Sequence, residues 1–371
     1  MPMMPYGPTP GSLRMVKKRW QPAGVAGGRA HGVRHNPAAV VHVIGRRAFL
    51  AGAGTAALAA GCRSRSESGR LILRLSHSMT AGPTSLHVLA QTFKEIVERK
   101  TSGAVIVRVF SSGTLGQERE TVQQLQEGLI DFMVSGSAIW GSVAPRLQVL
   151  DFPFLWRDWD HVHRIVDGAA GQRAAEYLEQ SVRMRPLAWG DSFGFRNVVT
   201  RSRDITDPSR LAGLKIRTIQ SAIYVKAVEL MGASPTPMAF GEVYTSLQTG
   251  VIDGYEHDAS TTLQQRFYEV AGFLTYTRHI AGVLGLWSST TTMAQLPADI
   301  RAVLASAALE ASAAQRARGP IEDASATATL RERGMRIRDI DTRAWRPAAE
   351  ALWQREARAL GAMPWLEAIL A

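Results

Sequence analysis

The sequence predicts an α/β fold. Strand-like and helix-like segments alternate from Leu71 onward. Apolar residues make up 46% of the 371 and charged residues 20%, an ordinary globular balance. No low-complexity linker or fixed-period repeat interrupts the chain after its leader. The length suits two domains or one large one.

Leu71-Ile72-Leu73-Arg74-Leu75-Ser76 alternates as a first strand. Thr84 or Ser85 is placed to cap a helix in which Leu89, Phe93, Ile96 and Val97 recur at helical spacing, with Glu95 and Arg99 paired on its surface. Val105 to Phe110 is a second strand, Gln117 to Gly128 a second helix and Ile130 to Val134 a third strand. This order implies parallel strands. Asp151 to Trp156 reads as an aromatic-Pro loop, and 159–167 and 169–180 as helices. A strand starts at Leu187, and the run to Thr200 keeps a β-like composition. Leu214 to Ile219 alternates again. Helices follow from Ser221, stopped by Gly232, and from Glu242, stopped by Gly250. An Ala-rich helix covers 297–330 and another lies near 347–360.

The formal charge of +11 suggests a polyanion partner until its distribution is read. Residues 1–62 hold eight Lys/Arg and no acid, which leaves 35 basic against 32 acidic residues, a net of +3, in the remainder. Nucleic acid is therefore not an expected partner. Residues 1–62 read as a leader. Arg46-Arg47-Ala48-Phe49-Leu50 is a twin-arginine pattern, and the apolar run Ala51 to Gly61 is short of the roughly 20 residues that span a bilayer. The expected destination is the periplasm. Cys62, the sole cysteine, follows Leu58-Ala59-Ala60-Gly61, which resembles a lipobox with Ala59 where leucine is usual. Lipid anchoring through Cys62 is expected on that basis, and a plain cleaved signal is the alternative. Gly52-Ala53-Gly54-Thr55-Ala56-Ala57 matches a dinucleotide fingerprint, but no strand precedes it and it lies inside the leader.

Arg217 stands near the carboxyl end of strand 214–219, where ligands bind in open α/β sheets. The helix begun at Ser221 adds a dipole that favours an anion, and a guanidinium grips a carboxylate with two parallel hydrogen bonds. The same spacing also fits a structural ion pair. Arg196, in Phe193-Gly194-Phe195-Arg196-Asn197, is a second arginine among apolar neighbours. Two arginines in one cleft would repel unless an anion joined them. Tyr255, Glu256, His257 and Asp258 form a polar cluster just after a strand, the usual place for ligand contacts, and His257 would make affinity pH-sensitive between about pH 5 and 8.

Two enzymatic readings compete. Gly190-Asp191-Ser192-Phe193-Gly194 matches the hydrolase elbow, with Asp253, His257 and His279 downstream. The elbow needs a helix after Ser192, whereas 195–200 reads as strand. Asp158, Asp160, His161 and His163 suggest a metal, but they open a helix, where acids serve as caps, and the two histidines point to different faces. No metal is expected.

The chain resembles, over about Leu71 to Leu330, the extracytoplasmic solute-binding proteins of tripartite ATP-independent periplasmic (TRAP) transporters. Leu115-Gly116-Gln117-Glu118-Arg119-Glu120, Asp151-Phe152-Pro153-Phe154-Leu155, Gly194-Phe195-Arg196-Asn197 and Leu211 to Arg217 are in family order. Pro235 to Tyr244 and Leu247 to Gly254 are the most specific. The resemblance implies a periplasmic binding protein of type II-like architecture. Its discontinuous domains would be 70–193 plus about 282–322, and 194–281 plus about 323–371, joined by crossing strands around a ligand cleft. It implies no enzymatic activity and no cofactor. It implies an organic-acid ligand, either sugar acid, hydroxy acid or dicarboxylate, and a permease with small and large membrane subunits as partner. Arg217 would pair with the ligand carboxylate and Arg196 assist; Glu118, Gln220, Phe240, Tyr255, Glu256 and His257 would line the cleft. His257 stands where asparagine is common, and Val134 to Trp140 lacks the glutamate and arginine of sialic-acid binders, which disfavours that ligand.

Overall fold

Two six-stranded mixed sheets, each wrapped by helices, organise the chain. The computed structural model describes residues 66–67 and 69–371. The twin-arginine leader, the Gly52 fingerprint and Cys62 lie outside them. The strands are β1 (Ser66–Glu67), β2 (Arg70–Ser76), β3 (Val105–Phe110), β4 (Phe132–Gly136), β5 (Met184–Asp191) and β6 (Arg196–Thr200). They continue as β7 (Lys215–Thr218), β8 (Ser234–Pro237), β9 (Gly254–His257), β10 (Phe273–Ile280), β11 (Val283–Ser289) and β12 (Arg336–Asp339). In the first sheet β1, β2, β4, β11 and β5 follow in order, with β3 also on β2. The second runs β12-β10-β6-β9-β7-β8.

The expectation of parallel strands needs correction. β2 is parallel to β3 and β4, and β7 to β8 and β9. β11, however, runs antiparallel between β4 and β5, and β6 antiparallel between β9 and β10. The reason is how the chain changes sheets. It leaves β5, crosses through 192–195 and enters the second sheet as β6; it returns from β10 through Ala281-Gly282 into β11. No crossover helix lies in either link, so nothing forces a parallel return. The β-like run from 187 to 200 is accordingly two strands in two sheets, broken at Gly194, whose φ of 118° suits glycine alone.

Helices α1 (Ser85–Lys100), α2 (Glu118–Gln126) and α3 (Ser137–Trp140) serve the first sheet. Next come α4 (Trp159–Val166), α5 (Ala169–Val182), α6 (Ala222–Leu230), α7 (Val243–Thr249), α8 (Ala259–Gln264), α9 (Thr290–Ala294), α10 (Ala298–Glu332), α11 (Arg346–Ala359) and α12 (Met363–Leu370). α1 begins after Thr84 as expected, but that hydroxyl donates to the Thr80 carbonyl at 3.2 Å and caps nothing. The surface ion pair of α1 is Lys94–Glu98; Glu95 accepts from Gln91 instead.

α10 touches both sheets' cores. Its first half packs Leu304, Ala307, Ala308 and Ala311 against Leu89 and Phe93 of α1. Its second half packs Ala326 and Leu330 beside Val199 and Leu274 of the other sheet. Small side chains permit that close approach over 35 residues. The C-terminal helices lay Leu352, Trp353 and Leu366 into a cluster with Trp140, Leu147 and Leu178. Trp353 Nε1 donates to the Pro153 carbonyl at 2.8 Å, which fixes the aromatic-Pro loop.

Gly254 opens β9 where a Cβ would lie 2.3 Å from the Val199 carbonyl oxygen. Backbone cannot yield as a flexible side chain can. Gly254→Ala should therefore lower stability by about 2 kcal/mol, read as a lower urea midpoint with an unchanged slope.

Candidate ligand-binding site

Four segments meet where the sheets face each other. β6 delivers Arg196 at its first residue, β7 delivers Arg217, and β9 ends in His257. Glu118 opens α2 from the first sheet's side. They line a cavity of about 520 Å³ together with Ser78, Ser192, Tyr224 and Phe240. A smaller cavity of about 260 Å³ shares Glu118, Arg217 and Phe240 and adds Gln117, Arg119 and Gln220. A separate apolar cavity of about 280 Å³ beside Trp189 and Trp365 has no charged or hydroxyl group on its walls.

The two arginines are in different electrostatic states. Arg196 is 4% exposed. Its Nη2 donates to Glu256 Oε1 at 2.9 Å and to the Glu256 carbonyl at 2.8 Å, and its Nε to the other carboxylate oxygen. The guanidinium lies 5.3 Å over the Tyr224 ring. Burial works against its charge, but the Glu256 carboxylate outweighs that and holds its pKa above the ordinary arginine value. Glu256 mirrors this: burial pushes it up, Arg196 and His279 pull harder, and its pKa falls to about 2. Arg196 is therefore a matched buried pair.

Arg217 is 2% exposed and has no carboxylate in hydrogen-bond contact. Nε and Nη2 donate to one backbone oxygen, that of Met238, at 3.2 and 2.8 Å. Nη1 is buried with no partner. The head group lies 5.8 Å over Phe240, and burial pushes its pKa down to about 10, opposed by Glu256 and Glu118 at longer range. A donor without an acceptor in a low-dielectric cleft is costly, and an anion relieves it.

His257 is fixed from both sides. Asp258 Oδ2 is 2.7 Å from Nδ1, and Arg196 Nη1 is 3.3 Å from Nε2. An arginine only donates, so Nε2 faces it with its lone pair; Nδ1 lies between the Asp258 carboxylate and the Asp258 backbone N–H, which is 3.0 Å away. Burial first, and then Arg196, push the His257 pKa below the usual range, while Asp258 pulls it up. Titration of His257 is thus displaced downward from the ordinary histidine range. Glu118 is half-buried on the wall of both cavities; burial pushes its pKa up, opposed by the nearby Arg217 and by Ser78.

The structure brings Arg196, Arg217, Glu118, Phe240, His257 and Gln220 to these cavities and turns two of the expected residues away. Tyr255 is a core residue: its hydroxyl donates to Thr262 at 2.8 Å and its ring packs 4.9 Å from Phe267. Glu256 meets Arg196 rather than the open space. Ser78 and Tyr224 were not singled out from the sequence. Ser78 follows the end of β2, a position the strand-end rule favours; Tyr224 is hidden within α6 by its apolar company. Its hydroxyl donates to Asp151 Oδ1 at 3.3 Å, and Ser137 donates to the same carboxyl at 2.9 Å. Burial pushes Asp151 up to about 7 against these hydrogen bonds.

The enzymatic readings lose their geometry. The Ser192 hydroxyl lies 2.8 Å from the Gly194 carbonyl and 2.9 Å from that of Ala281, and strand β6 follows where the elbow needs a helix. Asp158 caps α4 by accepting from the His161 N–H at 2.7 Å. His163 pairs with Asp191 instead. Among the described residues no group of three or more His, Cys, Asp or Glu is placed to hold a metal.

Two α/β lobes, crossing strands and an anion-poised cleft between them define a solute-binding protein of the periplasmic type. The chain belongs to the bacterial extracellular solute-binding proteins, family 7, whose model matches residues 75–359. The 2,3-diketo-L-gulonate-binding periplasmic protein of Escherichia coli is 32% identical over 270 residues, 72% of this chain and 82% of that relative. A TRAP periplasmic solute-binding protein from Polaromonas, solved with D-erythronate, is 30% identical with a TM-score of 0.77, covering 81% of this chain and 98% of the other. One from Sulfitobacter, solved with β-D-galacturonate, is 25% identical with a TM-score of 0.76, covering 80% and 99%. The protein is thus an extracytoplasmic binding protein and not an enzyme.

The histidine pair near the cleft makes stability pH-dependent. His77 Nε2 is 3.1 Å from His87 Nδ1, and burial, then the neighbouring His87, push the His77 pKa from 6.5 down to about 3. The unfolded chain takes up this proton below pH 6.5 and the folded chain does not until about pH 3. The contribution is complete above pH 6.5 and is lost as pH falls. Asp151, raised by burial, acts in the opposite direction below pH 7. The His77 part is isolated by comparison with His77→Gln, which should remove a loss of about 2 kcal/mol between pH 7 and 5 in urea unfolding.

Proposed function

We propose that the protein captures an organic acid in the cleft, with the ligand carboxylate on Arg217, and passes it to a TRAP-type permease with small and large membrane subunits. The carrying observation is the buried Arg217 Nη1 without a partner, at the end of β7 and on the cavity wall. Arg196, its charge matched by Glu256, stands on the same cavity wall. Phe240, Ile139 and Ile219 supply apolar walls beside these polar groups, as in small-molecule sites. The acid ligands of the Polaromonas and Sulfitobacter relatives support the same ligand class. The lobes, 70–193 with about 282–322 and 194–281 with the segment through β12, would close on contacts made only in the closed state, with α11 and α12 carried on the first lobe. The twin-arginine pattern at Arg46-Arg47 supports export to the periplasm, and the lipobox-like segment before Cys62 supports a lipid anchor there.

Thermal shift against an acid panel that includes D-erythronate and D-galacturonate tests the capture. A ligand at 100 times its Kd adds about 2.7 kcal/mol, several degrees at this size. Arg217→Lys should weaken binding at least roughly tenfold, because lysine lacks the planar fork; unchanged affinity by calorimetry would rule out the clamp. For the anchor, fractionation of cells expressing Cys62→Ser should move the protein from the membrane to the soluble periplasm. Equal partition of both forms would refute lipidation.

A further inference from the structure

One buried contact joins the two lobes behind the open space. Asp151 belongs to the segment between β4 and β5 of the first sheet, and Tyr224 to α6, between β7 and β8 of the second. The Tyr224 hydroxyl meets Asp151 Oδ1 at 3.3 Å, and the Ser137 hydroxyl meets both carboxyl oxygens at 2.9 Å. Asp151 is fully buried and lines neither of the cavities that hold Arg217. Whatever it does for a ligand it does through Tyr224.

The charges around Asp151 leave its own state open. Arg196 favours the carboxylate and Glu256 opposes it, and those two answer each other. His279 lies 3.7 Å from that glutamate. Two neutral hydroxyls are the hydrogen-bonding partners of Asp151 among the described residues. A dry carboxylate has room for about four donors, so the anion is under-served here. The neutral acid fits better, because it keeps Ser137 as a donor and gives its own proton to the Tyr224 oxygen. Burial accordingly pushes Asp151 up to about 7.

Tyr224, Arg196 and Glu256 all belong to the second sheet's lobe. Parting of the lobes would remove them together and admit water, and the carboxyl would return toward its ordinary value. The shut form therefore holds the proton more tightly than the open one. This coupling favours closure in acid and is lost as pH rises to about 7.

Resting on the acid-capture reading and its lobe closure, we propose that Asp151 is a positioning residue for closure: it latches the lobes through Tyr224 and takes up a proton as they shut.

Calorimetry of the full mature protein with D-erythronate and D-galacturonate, in buffers of different ionisation heat, counts the protons taken up per ligand bound. At about pH 6 the wild type should take up at least roughly half a proton more than Asp151→Asn. Between about pH 5.5 and 7.5 its affinity relative to that variant should fall at least roughly fivefold. His257 and Glu118 are common to both proteins, so their titration drops out of the comparison. Tyr224→Phe leaves the carboxyl in place and deletes its partner on the other lobe. It should weaken binding at least roughly threefold, and it decides the matter if Asp151→Asn does not fold. Equal proton uptake in the wild type and a binding-competent Asp151→Asn overturns the proposal and leaves acid capture standing. Unchanged affinity in Tyr224→Phe does the same. Absence of binding by both acids in the wild type overturns the acid-capture reading and the latch with it.

Discussion

An arginine cannot shed its proton to suit a dry environment, so each buried guanidinium must be answered by something. This constraint organises the second sheet. Arg196 and Glu256 face each other diagonally across antiparallel β6 and β9, where Val198 pairs with Glu256 and Asn197 with His257. Their match requires that register. A slip of one residue would send Glu256 to the opposite face and leave two buried charges alone, a cost of several kcal/mol. Arg217 is answered only by one carbonyl and by charges at a distance. The same strand alignment that satisfies one arginine thus leaves the other with an unfilled donor beside the open space.

Much of the architecture was legible in the sequence where burial is one-sided. β3 matches its expected bounds because Val105, Val107 and their neighbours alternate. α10 was legible from its length and alanine content. β11 was not: all seven of its residues are buried, so period-two contrast vanishes, and the strand reads like any apolar run. Strand direction was likewise hidden, because it depends on where the chain crosses between sheets and not on local pattern.

The site was legible in its charges and less so in its depth. Arg217, Arg196 and His257 follow from strand ends. Tyr255 shares a face with His257, but two residues of rise place it against Phe267 in the core instead of at the opening. Polarity and adjacency in sequence do not distinguish those depths. Glu256, on the other face, answers Arg196 for the reason of register given above. Tyr224 needed the fold, since nothing in an apolar helix announces that its hydroxyl meets a carboxyl from the other lobe.

Ser192 illustrates a motif whose meaning lies elsewhere. Its N–H donates to the Gly282 carbonyl at 3.0 Å, and its hydroxyl sits between carbonyls of Gly194 and Ala281. One serine thereby stitches together the only two strand crossings that link the sheets among the described residues. The two crossings are tied to each other at this one point, on the cavity wall that Ser192 and Gly282 also line.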